Sequence, residues 1–409
     1  MNRSLPESLA IQQMEHLVET YRSVGNLNGQ ISVLKELVRR YPESEAAVKA
    51  SVELFHYFSS SELRRLRKQK VAAESMQLDS KPDSAIQQVR AEQQQNAVEA
   101  AGGIFKPAKT NAGQGTMFNN RVASEQEALD VQWNRNAADA LKHIQTVAPD
   151  VVSTPAIRFQ QAALLRSVGK MGGASNLLSE ISRSDSNMSS LATAEIAVSS
   201  GGSISDVRVL NIPPTKQKPW LDAKLDDDCW IQAEEIHLKT TQQADSRSLK
   251  PCLVMMSWDD DHLYLAGRID RIAAKSLVID ETADRVRDAN HQAVDRFEIA
   301  FDVDRDYSSA LVLKVDERGQ TSDACWHDRS WNPEWFVATE SGETTWRFEI
   351  AIPMSELIDR PVRPGQLWSI RMTRTAPGIC RQVLVPKELE YARNNDDGIG
   401  LLRFIRRKK

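Results

Sequence analysis

Apolar residues recur along this chain with two different periods, and the change from one to the other divides it. In the first half, Leu17, Tyr21, Leu34 and Leu37 fall at the spacing of paired helices around the turn Gly25-Asn26. Pro42 then closes the second helix, because proline cannot continue one. From Trp220 onward the period is two: Trp346, Phe348, Ile350 and Ile352 face one way, while Arg347 and Glu349 face the other. Cys252–Trp258 and residues 262–269 flank Asp259-Asp260-Asp261 as a hairpin, since aspartates at such a turn bond their own backbone. Further strands are expected over 295–302, 310–315, 345–352, 366–372 and 400–404. The pattern predicts a multidomain α + β protein, an N-terminal helical-repeat region followed by a C-terminal antiparallel β-sandwich.

The helical half carries an internal echo. Tyr21-Arg22-Ser23-Val24-Gly25 recurs as Leu165-Arg166-Ser167-Val168-Gly169, and Leu34 and Leu37 correspond to Leu178 and Ile181. Leu17, Tyr21, Gly25, Leu34 and Pro42 resemble the tetratricopeptide pattern, whose unit is about 34 residues, with Gln30 where a small residue is expected. Unrelated helical hairpins are the alternative. The expected organisation is TPR-like hairpins over 1–70, a long polar helix and disordered loop over 71–120, and TPR-like hairpins over 121–200. A linker over 201–219 and the sandwich over 220–409 complete it. Gly113 and Gly115 follow no strand, so they form no phosphate-binding loop.

Composition narrows the function. A net charge of −4 gives no general pull toward nucleic acid, and the basic residues near Arg403 read as a solvated tail. No run of eighteen apolar residues is present to span a bilayer. The opening residues lack the apolar core of a secretory signal, although Met1 is also readable as an internal methionine of a longer protein; the compartment is left open. Cys229, Cys252, Cys325 and Cys380 form no CxxC pair, which argues against zinc; buried thiols are expected, with a disulfide pairing as the alternative.

Several stretches of the second half occur in the order of family 9 carbohydrate-binding modules: 221–230 ending in Cys229-Trp230, 258–265, 295–302, 346–353 with Leu357, and Gly365 with Trp368. The resemblance spans about 218–407. It implies a calcium-containing sandwich that binds polysaccharide or oligosaccharide chain ends, is commonly appended to glycoside hydrolases, and does not itself cleave the glycosidic bond. On this likeness Glu298 matches a family hydrogen-bonding position, with Lys314 and Arg371 at comparable places on neighbouring strands. The family's stacking tryptophan aligns with Gln292 beside His291, and Tyr391 is the aromatic nearest the second platform. Trp326 is the expected replacement platform, whereas Trp331 and Trp335 are expected in the core.

Asp302, Asp304 and Asp306 alternate as calcium ligands can, in a loop without the glycine and closing glutamate of an EF-hand. Catalysis by the chain itself would rest on two carboxylates, with Glu298 and Glu349 the obvious pair. No nucleophile elbow or metal triad accompanies them. The helices offer a protein-docking groove. The rival reading is a protein-interaction scaffold whose sandwich has lost sugar binding.

Overall fold

Helices α1 (Glu7–Ser23) and α2 (Leu27–Arg40) are joined by a turn that needs a left-handed residue, and Gly25 supplies it at φ 69°. The N–H of Asn26 reaches back to the Tyr21 carbonyl at 2.8 Å. The second copy repeats this between α7 (Pro155–Ser167) and α8 (Met171–Ser182): Gly169 lies at φ 77° and Lys170 N–H bonds the Leu165 carbonyl at 2.8 Å. Close approach of the paired helices is allowed by Gly29, where a Cβ would stand 2.8 Å from the Tyr21 ring, and by Gly173 against Leu165. The small contact residue is thus Gly29, one place before the expected Gln30, which is buried and bonds Glu53.

The structure is a computed structural model that describes residues 6–80, 112–186, 188–202, 206–240, 250–271, 286–326, 328–385 and 398–406, with backbone alone over 74–80 and 112–125. The other helices are α3 (Glu45–Ser59), α4 (Ser61–Ser80), α5 (Ala112–Val147), α6 (Pro149–Val152) and α9 (Ser189–Ser199). The loop expected up to residue 120 gives way to helix at Ala112, since glycine costs a helix only about 1 kcal/mol per position. Two compact units result: Met1–Leu63 with Asn136–Lys409, and Arg64–Arg135. Within the second, Lys68 pairs with Asp130 at 2.6 Å.

The strands are β1 (Arg208–Ile212), β2 (Ile236–Thr240), β3 (Cys252–Trp258), β4 (His262–Asp270), β5 (Arg296–Asp302) and β6 (Leu311–Asp316). They continue as β7 (Thr321–Cys325), β8 (Phe336–Ser341), β9 (Thr345–Pro353), β10 (Leu367–Ala376), β11 (Cys380–Val383) and β12 (Ile399–Phe404). Short helices α10 (Asp228–Gln232) and α11 (Met354–Leu357) lie between them. The order is β7-β6-β5-β10-β11-β2-β3-β4-β9-β8, with β12 beside β10. This curled sheet brings its two halves face to face. Phe297 of β5 stacks on Phe348 of β9 at 4.8 Å between centroids, and Trp258 and Trp368 both meet Phe404 edge-on.

Two features depart from the sequence reading. The stretch 201–219 is not simply a linker, because Val207, Leu210 and Ile212 are buried and β1 pairs with β12. That pairing is parallel, whereas every other strand pair among the described residues is antiparallel. Helices α7, α8 and α9 therefore share one core with the sheet, in which Phe159, Ile181 and Val198 meet Val207, Leu367 and Leu401. Glu195 of α9, buried, reinforces this junction by accepting from Arg305 (2.8 Å), Arg166 (3.3 Å) and the Tyr307 hydroxyl (2.9 Å). All four cysteines are buried free thiols.

Candidate functional site

Pleating decides which side chains of β5, β6 and β10 face away from the core. Phe297, Ile299 and Phe301 are buried, so Arg296 and Glu298 turn to the other side, which Ala300 shares although it is itself buried. Register then sets their neighbours: Glu298 stands opposite Lys314 on β6 and Thr373 on β10, and Arg371 stands opposite Ala300. Glu298, Lys314 and Arg371 accordingly share one open sheet face. Lys314 Nζ lies 2.7 Å from Glu298 Oε2, both side chains about one-third exposed. Such a pair contributes roughly 0–1 kcal/mol to folding, which leaves it available to a ligand.

Beside this face lies a cleft of about 440 Å³ lined by His291, Gln292, Arg296, Lys314, Ser322 and Arg329, among others. Gln292 is exposed, its main-chain N–H held by Asn290 Oδ1 at 3.1 Å. His291 was singled out in the sequence only as a neighbour of Gln292; in the structure it is 5% exposed and forms part of the cleft. Neither ring nitrogen has a hydrogen-bond partner among the described residues, and Nδ1 is 3.8 Å from Asp316 Oδ2. Burial pushes its pKa below the usual range; Asp316 opposes this, and Lys314, Arg296 and Arg318 reinforce it.

The aromatic positions lie elsewhere than in the cleft. Trp326 is half-buried at φ 55°, its ring 6.4 Å from that of Tyr57 on α3, and it does not line the cleft. The loop after β7 turns back, the Trp326 N–H bonds the Ala310 carbonyl, and the half-buried ring lies near Tyr57. Trp331 and Trp335 are buried at 2% and 6%, and Trp335 donates to Asp323 Oδ2 at 3.2 Å. Tyr391 lies outside the described residues.

Asp302 and Asp304 come together with a residue no local pattern indicated, while the Asp306 carboxylate accepts from the N–H groups of Ser308 and Ser309 and lies outside that group. Glu62, in the first turn of α4, brings its carboxylate within 4.8 Å of ligand oxygens from Asp302 and Asp304. Main-chain N–H groups hold all four acids in place: Val303 on Glu62 (2.7 Å), Tyr307 on Asp302 (2.9 Å), Ser61 on Asp304 (2.8 Å) and Ser308 on Asp306 (2.7 Å). Burial and mutual repulsion hold Glu62 and Asp302 well above the usual carboxylate range, and push Asp306 up to about 7. Among the described residues no lysine or arginine side chain pairs with any of the four. An all-oxygen, carboxylate-rich donor set fits a hard divalent cation such as Ca²⁺.

Glu349 is removed from any acid–base role by its packing. It is 0% exposed, and its oxygens accept from the Trp230 indole (2.8 Å) and the N–H groups of Asp222 (2.9 Å) and Ala223 (2.7 Å). Glu298 sits on β5, a strand that does not pair with β9, so the two acids do not flank a common cleft.

No family model matches the sequence, and no curated protein does. Among solved structures, about half of the chain is similar to a family 9 carbohydrate-binding module from Caldicellulosiruptor kristjanssonii in complex with cellotriose. The identity is 13% and the TM-score 0.33, with 49% of this chain and 96% of that one covered. The glucose complex gives the same identity and TM-score, covering 49% and 97%. A Bacteroides uniformis protein is similar at 11% identity and a TM-score of 0.36, with 48% of this chain and 98% of that one covered.

Proposed function

We propose that the chain binds carbohydrate without cleaving it, taking an oligosaccharide or polysaccharide end on the outer face of β5, β6 and β10. The observation that carries this is the placement of Glu298, Lys314 and Arg371 on one exposed face beside a polar cleft that also takes in Gln292. A carboxylate and two cations fork across neighbouring hydroxyls, and charged partners make the stronger hydrogen bonds. In this reading the protein serves polysaccharide recognition or degradation alongside separate glycoside hydrolases.

Two subsidiary roles belong to the same proposal. Calcium binds Asp302, Asp304 and Glu62, with Asp306 adjoining them. The helical hairpins are degenerate TPR-like units that dock a protein partner, a reading supported by their matching glycine turns.

The test is titration of the full chain with glucose, cellotriose and a wider glycan panel, followed by tryptophan fluorescence. Saturable binding by one sugar class is expected, weakened roughly tenfold or more by Glu298→Gln or Arg371→Ala. Silence across the panel from a folded chain would remove the carbohydrate reading and leave the interaction scaffold in its place.

A further inference from the structure

The cleft beside the Glu298–Lys314 pair has an unequal distribution of satisfied charges. Of the acids near it, Glu298 and Asp316 are paired with cations, whereas Asp323 and Asp288 are not. Glu298 is held by Lys314, and Asp323 is 5% exposed with one oxygen on the Trp335 indole. Asp316, beneath His291, is taken by the guanidinium of Arg318 at 2.5 Å. Asp288 is exposed on the lining and forms no ion pair with the cleft's arginines.

The two arginines are not satisfied in this way. Arg296 donates to the main-chain carbonyl of His291 at 2.8 Å and meets no carboxylate among the described residues. Arg329 is exposed and has no hydrogen-bonding or ionic partner among them. Lys314 adds a third cation to the same wall.

Equally telling is what the lining lacks. Among its described residues no tryptophan, tyrosine or phenylalanine is present, and the one ring is the buried imidazole of His291. Orientation of a ligand must then come from charge and hydrogen bonds. A guanidinium presents a rigid fork of donors that matches the two coplanar oxygens of a carboxylate, so unpaired arginines on a concave wall select for such a group.

From these observations we infer that the ligand of this cleft is a carboxylate-bearing sugar, a uronic acid unit, whose carboxylate is held by Arg296 and Arg329. The inference rests on the carbohydrate-binding reading above and narrows it. Lys314 and Gln292 contact the ring hydroxyls, while the buried imidazole of His291 stays neutral and adds no charge.

The experiment is calorimetric titration of the full chain with glucuronic acid, galacturonic acid, glucose and glucose 6-sulfate, at low and raised salt. It is repeated on Arg296→Gln and Arg329→Gln, each checked for an unchanged thermal transition. The expected result is at least roughly tenfold tighter binding of a uronic acid than of glucose. That advantage shrinks as salt rises and is lost in both variants. Equal affinity for glucose and glucuronic acid, or an advantage surviving both substitutions, would overturn the inference and leave general carbohydrate binding intact. A preference for the sulfate ester over the uronic acids would overturn the carboxylate assignment. Binding of no sugar at all would remove this inference together with the reading beneath it.

Discussion

The indole N–H of Trp230 donates to Glu349 Oε1 at 2.8 Å, across 119 residues of sequence and inside the protein. With two main-chain N–H groups on the other oxygen, the carboxylate pins the segment 222–230 against β9. Glu349→Ala leaves these donors unmet and is expected to cost about 3 kcal/mol in urea unfolding of the full chain. Burial raises the pKa of Glu349 in the folded state, so its contribution is fully present below the usual carboxylate range and is lost as pH rises through the raised value. Glu349→Gln should flatten that part of the stability–pH curve. An unchanged slope would show that another acid sets it.

Gly267 of β4 lies directly opposite Phe348 of β9, and a Cβ there would come within 2.3 Å of the ring. Gly267→Ala therefore forces the aromatic off its stack with Phe297, at an expected cost of about 1–3 kcal/mol. Phe348→Leu in the same chain should recover part of the loss. If the double variant is no better than the sum of the singles, the clash is not the cause.

Arg374 is completely buried and grips Asp295 with two bonds, at 3.0 and 2.7 Å, while also reaching the Asp270 carbonyl and Gln382. Arg374→Met abandons a partly buried carboxylate and is expected to cost about 3–5 kcal/mol. Replacing both partners with apolar residues should cost less than the single change. Thermal melts of the three variants decide this.

Calcium should raise the melting temperature of the full chain, by the equivalent of about 2.7 kcal/mol at a hundredfold excess over its dissociation constant. Chelator should reverse the gain. Asp302→Asn and Glu62→Gln should each blunt it. A response that survives both places the ion elsewhere.

Much of the sheet is legible in the sequence because its strands alternate cleanly, as Trp346 to Ile352 do, and local pattern suffices where burial has period two. Strand β1 escaped because its short apolar run sits between Gly201-Gly202 and Pro213-Pro214, whose turn signals dominate. Within the site, Glu298, Lys314 and Arg371 could be placed on one face by counting along strands and matching register. Glu62 could not: it lies 240 positions before Asp302, in a helix start rich in arginine, and only tertiary packing joins the two. The aromatics show a related limit. Tryptophan is equally at home in a core and on a platform; Trp331 is buried as expected, while Trp326 is half-buried against the Tyr57 ring of a helix that no local pattern placed beside it.

Strand β12 sits between β1 and β10, and its Leu401 belongs to the same core as Phe159 of α7. A ribosome delivers β1 long before β12, so the emerging chain holds an unpaired strand and an open helical face while most of the sheet is still being made. The order of synthesis and the order of assembly therefore run against each other. The helices made first reach their final packing only when the last strand slides in beside them.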